Sequence, residues 1–141
     1  MWGLALSDIV DDGKPEAGED LGAFARLLHR ERRTRDAYLS EGLFGEPAWD
    51  ILLDLFACQA EGKMVPVSSA CIAAAVPPST ALRYIAEMER RGLIERAPSA
   101  QDRRSYHLTL TDEGRAHMEA LLQRLWTFHR SGTSMGWRGG T

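Results

Sequence analysis

The stretch "VSSACIAAAVPPSTALRYIAEMERRGLIERAPSAQDRRSYHLTLTDEG", residues 67–114, decides how this chain folds. Its first part is alanine-rich and begins near Ser68, whose hydroxyl can accept from an unpaired first-turn amide, so a short helix is expected to about Ala75. Val76-Pro77-Pro78 interrupts that helix, because neither proline carries an amide to extend the ladder. Pro78 has its φ already set for a helix start, which places a second helix from there to about Arg91, stopped by Gly92. Leu82, Ile85, Ala86 and Met88 form its inward stripe, while Thr80, Arg83, Tyr84, Glu87 and Arg91 face outward. "LIERAP" then reads as a strand, "SAQD" as a turn and "SYHLTL" as a second strand, with Tyr106, Leu108 and Leu110 on one face. Thr111 caps a further helix, and Asp112 and Glu113 lie near its positive end.

Outward from this segment the chain is helical. Residues 21–40 carry an apolar side of Leu21, Phe24, Leu27, Leu28, Tyr38 and Leu39, and the run "RERRTRD" is expected to lie mostly in solvent. Gly42 and Gly45 break that helix. Pro47 suits the first turn of the next, "PAWDILLDLFACQAEG", whose Trp49, Leu52, Leu53, Phe56 and Ala57 repeat at helical spacing and read as core. After Thr111, the apolar positions Met118, Leu121, Leu122, Leu125 and Trp126 continue to about Arg130. Residues 1–20 are acidic, with glycine and proline, and read as a flexible lead-in; the glycine-rich residues 131–141 read as a flexible tail. A single domain is therefore expected over residues 21–130, with no internal repeat.

Composition bounds the function. A 141-residue chain with 44% hydrophobic and 26% charged residues matches an ordinary globular domain. It has no apolar run of roughly 18 residues, so no membrane partner is expected. The N-terminus lacks the basic and apolar regions of a signal peptide, and Cys58 and Cys71 read as buried thiols; both point to the cytoplasm. The net charge of −3 is unevenly spread. Residues 1–20 hold six acids and one base, a local net of −5, which leaves +2 for the remainder. Charge thus permits a nucleic-acid partner without indicating one. His29, His107, His117 and His129 are scattered without metal-ligand spacing, so neither a metal nor another cofactor is expected. No Gly-rich phosphate loop or nucleophile–base motif points to an enzyme.

A helix-turn-helix at about 67–91 followed directly by a hairpin at about 93–110 is a winged helix. The fold class expected is mainly α with a small β-hairpin. The segment resembles the MarR-type transcriptional regulators. The matches are Ser79-Thr80, Arg83, Met88-Glu89, Gly92-Leu93, Glu95-Arg96, Asp102, Arg104, Leu110-Thr111 and Gly114, over about fifty residues. Three departures accompany them: Pro77-Pro78 where the family has a serine and a polar residue, Ile72 at a polar position, and Ala75 in place of a turn glycine.

The resemblance implies double-stranded DNA as partner and a homodimer built by the first and last helices. Two recognition helices about one DNA turn apart, roughly 34 Å, would read a near-palindromic operator. On this reading Arg83 and Tyr84 reach base edges, and Ser79 and Thr80 donate to phosphate. Arg104 enters the minor groove with Asp102 as its positioner, and Arg103 meets phosphate. A small-molecule effector between the dimerisation and DNA-binding parts is a further implication, with Trp49, Phe56 and His29 as candidate lining residues or as plain core. The competing reading is a winged helix retained as a protein-interaction module without specific DNA binding. The acidic lead-in, the small basic excess and the two prolines favour it.

Overall fold

The structure is a computed structural model that describes residues 19–39, 45–102 and 104–134. Most of the expected lead-in, and residues 135–141 of the expected tail, lie outside the described residues. Helix α1 spans Glu19–Leu39 and α2 spans Pro47–Ala60. A two-residue strand, β1 (Val65–Pro66), precedes α3 (Val67–Ala74) and α4 (Pro78–Arg90). Strands β2 (Ile94–Pro98) and β3 (Tyr106–Leu110) follow, and α5 runs Asp112–Ser134, past the end near Arg130 read from the sequence.

The sheet has three antiparallel strands in the order β1-β3-β2, so the expected hairpin gains a third strand. Val65 pairs with Leu108 and Pro66 with His107 on one side of β3, while Arg96 pairs with Leu108 on the other. β1 is an edge strand, where a proline without an N–H is tolerated. Two residues are too short for any period to show, which is why the sequence pattern misses this strand.

The core is one cluster that gathers side chains from every helix: Phe24, Ile51, Leu53, Ala74, Ile85, Leu108, Leu122 and Trp126 are among its buried members. Phe24 on α1 meets Trp126 on α5 edge to face, at 5.3 Å between ring centroids. In α4 the buried positions are Ala81, Ile85 and Met88; Leu82 and Ala86 of the expected inward stripe are exposed. The i, i+4, i+7 spacing of 81, 85 and 88 is one helix face, and the stripe read from sequence was rotated off it by taking the bulkier Leu82 instead of Ala81. Gly114 has a physical reason to be glycine, since a Cβ there would lie 2.0 Å from the carbonyl oxygen of Leu93. Thr111 caps α5 as expected: its hydroxyl donates to the Gly92 carbonyl at 2.6 Å and accepts from the Gly114 amide at 2.9 Å.

Ser68 is not the cap of α3. The helix starts one residue earlier, at Val67 behind Pro66, with no side-chain cap bond. The larger correction concerns "RERRTRD". Arg32 is buried, and its guanidinium lies against the fully buried Asp50 of α2, with Nη2 3.3 Å from Oδ2. Arg33 Nη2 donates to the same Oδ2 at 3.2 Å. Burial works against the charge on Arg32, and Asp50 outweighs it, so the Arg32 pKa lies above its ordinary value.

Two stability outcomes follow. Asp50→Ala leaves two guanidinium groups facing a buried void and should cost about 3 kcal/mol or more in urea unfolding. Ala75 ends α3 in the left-handed region at φ 57°, so Ala75→Gly should raise the unfolding free energy by a net of roughly 0.5 kcal/mol, and the melting temperature with it. A lowered melting temperature would show that Ala75 carries no strain.

Candidate nucleic-acid interface

Helix α4 buries Ala81, Ile85 and Met88 and turns most of its polar residues outward. Ser79, Arg83 and Tyr84 are exposed and Thr80 is half-buried. The Arg83 guanidinium lies 6.0 Å from the Tyr84 ring centroid, a cation–π contact that keeps two hydrogen-bonding tips side by side. Glu87, one turn on, is occupied: it accepts from both Arg90 and Arg91, the latter at 2.7 Å. It does not pair with Arg83. The Arg90 hydrogen bond first, and then that of Arg91, hold the Glu87 carboxyl down at about 2, so it is charged throughout the neutral range.

The wing is built by short polar side chains. Ser99 is buried, and its hydroxyl accepts from the amides of Gln101 and Asp102 at 3.2 and 3.4 Å. The Ser99 amide donates to the Ser105 carbonyl at 2.9 Å and closes the turn. Asp102 accepts from the Arg104 amide at 3.0 Å and from the Ser105 hydroxyl at 3.2 Å. Its carboxylate is 3.9 Å from Arg104 Nε, so it shapes the backbone under Arg104 more than it grips the guanidinium. The Arg104 side chain is 96% exposed. Arg103 lies outside the described residues.

Arg104, Ser105 and Tyr106 of the wing, Arg96 of β2 and Pro66, Val67 and Ser68 at the start of α3 line one cleft of about 250 Å³. Of these, Arg104 is the one that the sequence reading singles out as a contact; the others, Arg96 and Ser68 among them, it does not. Arg96 Nε also donates to the Glu89 carboxylate of α4 at 3.0 Å, which ties wing to helix. Alternation gives no signal for it, because Arg96 shares its strand parity with the buried Ile94 and is nonetheless exposed.

The residues proposed for an effector site are not brought together. His29 meets the Ala73 carbonyl at 2.9 Å. Phe56 lines a recess of about 70 Å³ with Gln59, Ala60, Arg115 and Glu119. A larger groove of about 1060 Å³ runs between α1 and the helix-turn-helix, walled by Arg33, Asp36 and Ala37 on one side and Ile72, Val76 and Pro77 on the other. Trp49 lines neither.

Cys58 and Cys71 are free thiols, Cys71 buried and Cys58 half-buried. Burial and the nearby Asp54 push the Cys58 thiol up despite Arg26, which disfavours a thiolate nucleophile. Among the described residues no group of His, Cys, Asp and Glu is placed to hold a metal ion. No described helix is long and apolar enough to cross a membrane.

Residues 68–114 match the family model described as a winged helix DNA-binding domain. The fold is a winged helix carried between long flanking helices. This architecture is shared with Staphylococcus aureus MepR in its DNA-binding conformation, which is 22% identical, with 80% of this chain and 81% of that chain covered at a TM-score of 0.54. Streptococcus pneumoniae FabT in complex with DNA is 24% identical over 83% of this chain and 78% of that one, with a TM-score of 0.51. MepR described as a transcription regulator of the multidrug efflux pump MepA is 18% identical over 83% of each chain, with a TM-score of 0.55. No curated protein sequence matches the chain.

The paired arginines at Glu87 give a direct outcome. Its folded-state value is lowered from 4.5 to about 2, so the ion pair is complete above pH 4.5 and is lost only as pH falls through about 2. A carboxyl-carbon NMR titration should show that midpoint, and the Arg90→Ala/Arg91→Ala variant should move it upward. An unmoved midpoint would mean the two arginines do not hold this carboxylate.

Proposed function

We propose that the chain is a sequence-specific DNA-binding transcriptional regulator and not an enzyme, acting in the cytoplasm as a homodimer on a near-palindromic operator. The observation that carries the reading is the winged-helix DNA-binding match at 68–114, coinciding with an outer α4 face on which Ser79, Arg83 and Tyr84 stand exposed. Arg83 and Tyr84 contact base edges, Ser79 and Thr80 donate to phosphate, and Arg104, seated on the turn that Asp102 shapes, enters the adjacent minor groove. Arg103 meets phosphate beside it.

The dimer is supported by apolar surface on the two end helices. Leu121 and Phe128 on α5 are exposed at 43% and 57%, and Tyr38 and Leu39 at the end of α1 are more so. A second copy of the same surface would cover them under twofold symmetry. A small-molecule effector fits the groove between α1 and the helix-turn-helix better than the recess at Phe56, because the groove holds about 1060 Å³ and the recess about 70 Å³.

The test is binding to a duplex selected from a random pool, followed by titration with salt. Arg83→Ala should cost about 1–3 kcal/mol and relax sequence preference, whereas Arg103→Ala, at the proposed phosphate contact, should weaken all duplexes alike and lower the salt slope by about one. Wild-type protein that selects no sequence and shows a flat salt response would instead identify a protein-interaction module.

A further inference from the structure

The carbonyl of Ala73 poses a problem that the sequence creates. An α-helix leaves its last carbonyls without intrahelical donors. Were α3 to continue, Ala73 would be bonded by the amide of residue 77 and Ala74 by that of residue 78, and both are prolines without an N–H. Pro77-Pro78 therefore guarantees that the end of α3 must look elsewhere for donors.

Helix α1 supplies them. His29 Nε2 lies 2.9 Å from the Ala73 oxygen, and Arg33 Nη1 donates to it at 3.2 Å. A carbonyl only accepts, so Nε2 carries the proton. One helical turn separates the two donors, which places them on the same face of α1. The positive guanidinium also sits at the negative end of α3. Arg33 is itself held by Asp36 at 3.1 Å and by the buried Asp50 at 3.2 Å. Three helices thus meet at one point.

Beside that point α1 and the helix-turn-helix stand apart. The groove of about 1060 Å³ opens between Asp36 and Ala37 on α1 and Ile72, Val76 and Pro77 opposite, and Ile72 is 79% exposed. Packed side chains can slide past one another, but a carbonyl gripped by two donors cannot turn without losing them. We propose that His29 and Arg33 are positioning residues: together they clamp the Ala73 carbonyl and fix the angle of the helix-turn-helix against α1. If α1 belongs to the dimer, as proposed above, that angle sets the separation of the two recognition helices, and this consequence rests on the DNA-binding reading. The clamp also accounts for the prolines, since they keep the Ala73 carbonyl available.

The experiment compares the full-length chain with its His29→Ala/Arg33→Ala variant. The control is Arg26→Ala, which removes bonds to Asp54 and Cys58 that join α1 to α2 without reaching α3. In native-state amide exchange, the double variant should speed exchange over residues 67–90 by roughly ten-fold while residues 51–57 stay protected. The control should not reproduce that pattern, and His29→Gln/Arg33→Lys, which keeps an N–H donor at both positions, should restore protection at least in part. On DNA, the double variant should lose roughly ten-fold in affinity for a duplex with two half-sites and nothing for a single half-site, a split that loss of stability alone would not produce. Unchanged exchange over 67–90, or equal acceleration by Arg26→Ala, overturns the clamp. Wild-type protein that binds no duplex overturns the DNA-binding reading instead, and the exchange result still decides the clamp.

Discussion

Asp50 sits in the first turn of α2, wholly out of solvent, in a helix that is otherwise built to be buried among apolar side chains. A carboxylate cannot remain charged there unless it is paired and hydrogen-bonded, and α1 delivers two arginines to it. The ion pair thereby fixes the register of α1 against α2: a slip of one residue on either helix would leave a buried charge facing hydrocarbon. Burying apolar surface makes the two helices associate, and the carboxylate decides where along their length they do so. Arg33 carries the constraint on to α3 through the Ala73 carbonyl, so the placement of the helix-turn-helix descends from the same buried acid.

The surface electrostatics follow a different logic. An acidic chain can still present a usable cationic face when its acids are locally neutralised. Glu87 sits in the middle of the outer α4 face and would repel phosphate, but Arg90 and Arg91 take up its charge. Arg83 is left to the Tyr84 ring, with its donors turned outward. At the wing the same economy holds, because Asp102 spends its lone pairs on the Arg104 amide and the Ser105 hydroxyl, leaving the Arg104 guanidinium in solvent. In both places the acid serves the local geometry while the arginine remains exposed.

The helix-turn-helix was legible because prolines and glycines punctuate it and because α4 has a strong amphipathic period; Pro78 opens the helix and Gly92, at φ 77°, closes it as read. The wing strands showed through alternation. The stripe of α4 lies one residue from the sequence reading at its start, since the small Ala81 packs inward and hydropathy favours Leu82. The charge run of α1 misleads for a related reason: a helix face looks solvated until its partner is known, and the hint lies in Asp50, one of two aspartates inside the apolar "AWDILLDLF".

The residues alone determined the order and type of the main elements, the break at Pro77-Pro78, the cap at Thr111 and the polar outer face of α4, because each depends on neighbours within a turn or two of the chain. Only the tertiary structure decided the third strand, the Arg96 cleft, the burial of Arg32 and the grip of His29 and Arg33 on Ala73. Those contacts join residues from 18 to more than 40 positions apart, and whether a charge is buried or solvated depends on what the fold brings against it, which no local period encodes.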